Sequence, residues 1–250
     1  MKATKQRLDQ LLVARRLAES REKARALVLA GQVLVDGQRM EKAGQSVAEN
    51  SRIEVLQPPP FVSRAGPKLA AALDAFHIEV AGRTCLDVGA STGGFTDCLL
   101  QRGAARVYAV DVGAGQLDWK LRNDPRVVVR EGVNARYLRF EDIGERVSLA
   151  VCDVSFISAT LVLQPLAALI ARPGEMVVLV KPQFEVGRGQ VGKGGIVRDP
   201  ALHRAACDRV EQAAQALGFR TRLMECPVPG AEGNKEFLLY ARHEDDWNHL

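Results

Sequence analysis

The chain has 250 residues, with 34 Lys and Arg against 30 Asp and Glu and a hydrophobic share of 47%, enough for one α/β domain with a proper core and a small extra module. No uninterrupted apolar run approaches the roughly 18 residues of a membrane span, and the opening MKATKQRLDQ lacks a signal-peptide apolar stretch, so a cytoplasmic protein is expected. The cysteines at 85, 98, 152, 207 and 226 form no CxxC pair, and the histidines at 77, 203, 243 and 249 show no metal spacing such as HExxH, which argues for a reducing compartment and against a zinc site.

Charge is unevenly placed. Residues 1–60 hold 11 basic against 7 acidic side chains, and the rest of the chain balances at 23 of each. That asymmetry suggests a polyanion-binding module attached to a neutral body. Leu8, Leu11, Leu12 and Leu17 recur at helical spacing over 6–17, and Ser20 is placed to cap a second helix, 21–30, that Gly31 closes. Val33, Val35, the turn Asp36-Gly37, Val47, Ile53 and Val55 then read as short strands. Arg7, Arg15, Arg16, Arg21, Lys23 and Arg25 decorate the two helices and are the expected phosphate-gripping residues. The stretch RLDQLLVARRLAESREKARALVLAGQVLVDGQ, Arg7 to Gln38, resembles the S-four RNA-binding domain first recognised in a small-subunit ribosomal protein. The resemblance implies docking of the two helices on structured RNA by shape and phosphate contacts.

The proline run QPPP at 57–60 marks a domain boundary, giving an RNA-binding domain over 1–60, a second domain over 61–242 and a tail over 243–250. A helix entered through Ser63 and Pro67 and reaching Asp74 places Lys68 at the mouth of the second domain. From residue 83 strands and helices alternate: TCLDV, a helix near 94–102, RVYAVDV, a helix near 115–122, RVVVRE, SLAVCDV, a helix near 158–170, EMVVLVKP, a helix near 200–217, and strands near 219–226 and 236–241. Repeated strand-helix units predict a mostly parallel sheet with helices on both faces, the last two strands being antiparallel.

LDVGASTGGFTD, from Leu86 to Asp97, places an apolar strand, an acid, a glycine-rich turn and a helix start within twelve residues. Glycines at 89, 93 and 94 are expected to let a ligand approach the backbone at a helix N-terminus. The spacing departs from GxGxxG and is more typical of S-adenosylmethionine pockets, so Asp87, Gly89, Ser91, Gly93, Gly94 and Phe95 are expected around the cofactor. Ligands of open α/β sheets sit at the carboxyl ends of the strands. Asp111, ending the second strand, is placed to accept from ribose hydroxyls, Asn134 to meet the adenine, Asp153 and Lys181 end the fourth and fifth strands, and Glu236 lies at the start of the last. Lys181 follows a buried strand and is a candidate base, while the glycines at 187, 189, 192, 194 and 195 predict a mobile loop that folds over substrate.

Lys68, Asp153, Lys181 and Glu236 match in order the Lys-Asp-Lys-Glu set of ribose 2′-O-methyltransferases related to FtsJ. With FVSRAGPKL, CDVSFIS, KPQFEVGRGQVGKGGIVRDP and GNKEFLL, the chain from Arg7 to Tyr240 is similar to TlyA-type rRNA methyltransferases of the haemolysin A family. The resemblance implies a Rossmann-like methyltransferase sheet carrying a small N-terminal α+β RNA-binding domain. It further implies S-adenosylmethionine as cofactor, Asp153 also at the cofactor, ribosomal RNA or subunits as partner, no metal, and methylation of a ribose 2′ oxygen, cytidine in family members. Lys68 disfavours a second positive charge on Lys181, whereas Asp153 and Glu236 act in the opposite direction, and the sequence leaves that balance open. Competing expectations are a ribosome-assembly factor that binds RNA without chemistry, a membrane-active haemolysin, and a nicotinamide dehydrogenase using Asp111.

Overall fold

The structure is a computed structural model that describes residues 4–57 and 59–243. The chain forms two compact units, Met1–Pro59 and Pro60–Leu250. In the first, β1 (Lys5–Arg7) leads into α1 (Leu8–Ala14), followed by α2 (Arg21–Leu29), β2 (Val33–Val35), β3 (Gln38–Arg39), β4 (Ser46–Ala48) and β5 (Ile53–Val55). Leu8, Leu11, Leu12, Ala24, Val28, Val33 and Val35 form its core.

The first helix is shorter than its leucine spacing suggests. Residues 5–7 are drawn into antiparallel pairing with β4, and Arg16 takes a left-handed φ of 58° that ends the helix, with the Leu17 amide donating back to Leu12 O. Ser20 caps α2 as expected, its hydroxyl accepting from Lys23 N at 3.2 Å. Asp36 and Gly37, at φ 50° and 80°, make the tight hairpin between β2 and β3.

The second unit contains α3 (Ala65–Ala75), β6 (Thr84–Val88), α4 (Gly94–Gln101), β7 (Arg106–Asp111), α5 (Trp119–Arg122), β8 (Val127–Glu131), α6 (Phe140–Ile143) and β9 (Val147–Cys152). It continues with α7 (Thr160–Leu169), β10 (Ile170–Val180), α8 (Pro182–Glu185), α9 (Pro200–Gln215), β11 (Phe219–Glu225) and β12 (Phe237–His243). Seven strands form one sheet in the order β11-β12-β10-β9-β6-β7-β8, with only β12 antiparallel to its neighbours. The chain leaves β6 for β7 on one side and returns to β9 on the other, so a switch point opens at the carboxyl ends of β6 and β9. Separate apolar clusters cover the two faces, one under α7 and α9, the other under α3 and α4.

Two expectations need correction here. The helix expected near 115–122 is only Trp119–Arg122, because Gly115 takes φ 73° with its amide on Glu131 Oε1 and helical turns start only after Asp118, whose carboxylate caps Lys120 N. The expected tail over 243–250 begins one residue late: His243 pairs with Phe219 inside the sheet, and 244–250 lie outside the described residues, as does Pro58 of the proline run.

Candidate active site

The turn after β6 is built by close approach of other chain segments. Gly89 has φ 83°, and a Cβ there would stand 2.3 Å from the carbonyl oxygen of Asp153. A Cβ on Gly93, φ 96°, would meet Leu121 Cδ1 at 2.3 Å, and one on Gly94 would meet Ser63 Oγ at 2.2 Å. The glycines thus answer to packing against β9, α5 and the segment before α3, and Gly89 and Gly94 also line the cavities described next.

Asp87 is fully buried. Its Oδ2 accepts from Thr96 Oγ1 at 2.6 Å, while Oδ1 has no hydrogen-bond partner among the described residues. Burial, ahead of the nearby Asp153 and Asp111 charges, pushes its carboxyl up to about 7. Asp87 and Gly93 line neither of the cavities described next, so the structure places them behind the site and not in its wall.

Two adjoining cavities open at the switch point. One, of about 520 Å³, is walled by Val88, Val110, Val133 and Ile157 and carries Asp111, Gln116 and Asn134. Asp111 Oδ2 accepts from Ser91 N at 2.8 Å and Oδ1 from Gly113 N at 2.7 Å. Each oxygen keeps a second lone pair for an incoming hydroxyl. Asn134 lines the cavity, but its side-chain oxygen accepts from Arg136 N at 3.1 Å and caps the following turn. An apolar slot with an acid at its strand end suits a nucleoside, so the residues present fit S-adenosylmethionine on this side.

The other cavity, of about 550 Å³, holds all four residues of the expected catalytic set. They form two ion pairs. Lys68 on α3 lies 2.5 Å from Glu236 Oε2, with side chains 10% and 3% exposed. Lys181, after β10, lies 2.5 Å from Asp153 Oδ1 and donates to Ser155 Oγ at 2.8 Å. Gly230 gives Glu236 its room, since a Cβ there would fall 2.2 Å from Glu236 Oε1. The cavities share Gly89, Ser91, Asp153, Ser155 and Phe156, so Lys181 and Asp153 stand where they meet. Phe95 and Gly94 also line the tetrad side.

Sequence reasoning missed several wall residues. Phe156 is 88% exposed, takes φ 66°, and tilts against Phe184 at 5.3 Å between centroids. A bulky apolar residue directly after Ser155 and three places after Asp153, in CDVSFIS, is the available signal. Ser155 and Gln183 were equally unmarked, and Gln183 Oε1 is buried in the wall without a partner among the described residues.

The six basic residues expected to bind RNA divide by employment. Arg7 and Arg21 both bind the buried Asp9, at 2.9 and 3.2 Å, and Arg7 foremost holds that carboxyl down at about 2. Arg15 donates to Ser51 O at 2.7 Å and to Glu49 O. Arg16, Lys23 and Arg25 are exposed. Half of the set thus holds the small unit together.

A seven-stranded sheet with one antiparallel strand, a switch-point cleft and an acid at the end of the second strand defines a class of nucleoside-cofactor methyltransferases. Two family models match the chain: FtsJ-like methyltransferase over 61–243 and S4 domain over 6–53. The chain belongs to the FtsJ-like methyltransferase family, with S-adenosylmethionine as its methyl donor. It is 50% identical over 247 residues, 98% of this chain and 92% of the relative, to the 16S/23S rRNA (cytidine-2′-O)-methyltransferase TlyA of Mycobacterium tuberculosis. It is 43% identical over 236 residues, 94% of this chain and 98% of the relative, to Hemolysin A of Brachyspira hyodysenteriae. A solved structure of a hemolysin candidate from Streptococcus thermophilus superposes with a TM-score of 0.74 at 43% identity, covering 96% of this chain and 89% of that one.

Proposed function

We propose that this protein methylates the 2′ oxygen of a cytidine ribose in ribosomal RNA. The observation that carries the reading is that two lysine-carboxylate pairs line one cavity, which joins an acid-ended nucleoside cleft at Asp153. S-adenosylmethionine, when bound, supplies a methyl group already activated by its sulfonium charge. What the protein adds is alignment and proton handling.

Lys181 Nζ, fixed between Asp153 and Ser155, holds the ribose 2′ hydroxyl and, once the ammonium of the resting pair has released a proton to solvent, takes the hydroxyl proton as the oxygen becomes the nucleophile. Asp153 balances the charge that gathers on the amine. Lys68, anchored by Glu236 in the same cavity, donates to ribose oxygens and sets the sugar's orientation. Phe156 offers an exposed ring at the mouth on which an unstacked base can lie. Asp111 accepts from cofactor hydroxyls, and Asp87, Gly93 and Gly89 set the backbone around it. Arg16, Lys23 and Arg25 of the first unit add phosphate contacts.

A ribosomal substrate places the protein in the cytoplasm. Among the described residues no helix is long and apolar enough to cross a membrane, so nothing favours the membrane-active reading. An assembly factor without chemistry leaves the Lys181–Asp153 pair on the cavity wall without a task. Incubation with ribosomal subunits and radiolabelled methyl donor tests the proposal: label in protein-free RNA supports it, and unlabelled RNA from both subunits overturns it.

A further inference from the structure

The glycine-rich loop 187–195, expected as a mobile cover, is folded and tied down. Asn234 is 3% exposed; its Oδ1 accepts from Val197 N at 3.1 Å and its Nδ2 donates to Gly195 O at 3.0 Å. From α9, buried His203 donates through Nε2 to Val197 O at 2.8 Å. Inside the loop Gly192 N bonds Ile196 O at 3.0 Å, closing a tight turn. Gly194 and Gly195 then form part of the wall of the tetrad cavity.

The same short segment that carries Asn234 carries Glu236. Its backbone is pinned on both sides, Gly230 N to Asn234 O at 2.9 Å and Cys226 N to Glu236 O at 2.9 Å. One segment therefore fixes both the acid that anchors Lys68 and the loop that shares the cavity wall with Lys68. A buried amide that serves two backbone groups of a loop otherwise rich in glycine removes much of that loop's freedom before any substrate arrives.

We infer that Asn234 is a positioning residue that pre-forms the RNA-facing wall of the tetrad cavity, so that the wall does not wait for substrate to close it. The inference rests on the methyltransferase reading and deepens it. Its effect falls on the nucleic-acid substrate and not on the cofactor, because the loop glycines line the tetrad cavity and none lines the nucleoside cleft.

Hydrogen exchange on the full-length protein without RNA reads the latch by itself. The Val197 amide exchanges slowly in the wild type, and Asn234→Ala speeds it about tenfold, as loss of one hydrogen bond requires. Equal exchange in the two proteins overturns the latch. In methyl-transfer assays, Asn234→Ala lowers kcat about tenfold or more through misplacement of the substrate. The KM for S-adenosylmethionine stays within about twofold. An unchanged kcat beside fast exchange, or a matching rise in the cofactor KM, overturns the positioning role. Asn234→Asp keeps the acceptor for Val197 and loses the donor to Gly195; it retains slow exchange at Val197 and serves if the alanine variant does not fold. Slow exchange in a wild type that transfers no methyl group overturns the methyltransferase reading alone and leaves the latch supported.

Discussion

Lys68 Nζ and Glu236 Oε2 lie 2.5 Å apart although 168 residues separate them, and both side chains are almost fully buried. The pair ties α3, the first helix of the second unit, to the entry of β12, the antiparallel strand second from the sheet edge. Removing one partner leaves a buried charge unmatched, which costs about 3–5 kcal/mol, whereas replacing both with apolar groups costs far less. Glu236→Leu is therefore expected to destabilise the protein more than the double change with Lys68→Met, although all such variants lose activity. Denaturant unfolding of the singles and the double checks this, and additive losses contradict it.

Gly89 carries a different load. Its φ of 83° and the Asp153 carbonyl 2.3 Å from a would-be Cβ leave no room for a side chain. Gly89→Ala is expected to cost about 2–4 kcal/mol through backbone strain and overlap. The displaced Asp153 also loses its register with Lys181, so methyl transfer falls further than stability does. Thermal unfolding and a methyl-transfer assay on the same sample measure both losses.

Asp87 gives the protein a pH signature. Burial raises its carboxyl to about 7, above the unfolded value near 3.9. A group raised in the folded state contributes stability that is complete below the unfolded value and is lost as pH rises through the folded one. Wild type therefore loses stability relative to Asp87→Asn between about pH 4 and pH 7, with the gap constant above that window. The asparagine oxygen still accepts from Thr96, so the variant isolates the charge. Urea midpoints at pH 5 and pH 8 decide the matter, and an equal gap at both contradicts the assignment.

Among the arginines, employment predicts effect. Arg16, Lys23 and Arg25 are exposed, and each change to alanine is expected to weaken RNA binding and reduce the salt slope by about 1. Arg15→Ala strips donors from the Ser51 and Glu49 carbonyls, so its first effect is on stability of the small unit. Binding isotherms at several salt concentrations, beside unfolding curves, separate the two kinds.

Much of this architecture is legible in the chain. The strand ends bearing Asp111, Asp153 and Lys181 follow from apolar runs that stop at a polar residue, Glu236 from one that starts after it, and alternation of strands and helices fixes the layering. Which lysine meets which carboxylate is not legible, because the pairing joins elements brought together only by the sheet order. Asp87 reads as a ligand residue from its place beside the turn, yet the pleat of β6 turns it into the core under Thr96. Arg7, Arg15 and Arg21 look like free cations on helical faces; their partners, Asp9 and two distant carbonyls, appear only once the small unit is folded. Asn234 carries no signal at all in isolation. Its role arises from a loop that approaches it in space.

The most direct test concerns Lys181, held between Asp153 and Ser155 where the two cavities meet. Ribosomal RNA treated with the protein and S-adenosylmethionine is digested and its nucleosides weighed by mass spectrometry, beside RNA treated with Lys181→Ala. The expected result is 2′-O-methylcytidine with the wild type and a loss of about 10²-fold or more with the variant, which still binds cofactor by calorimetry. Methyl groups on bases, or full activity without the Lys181 amine, would contradict the account.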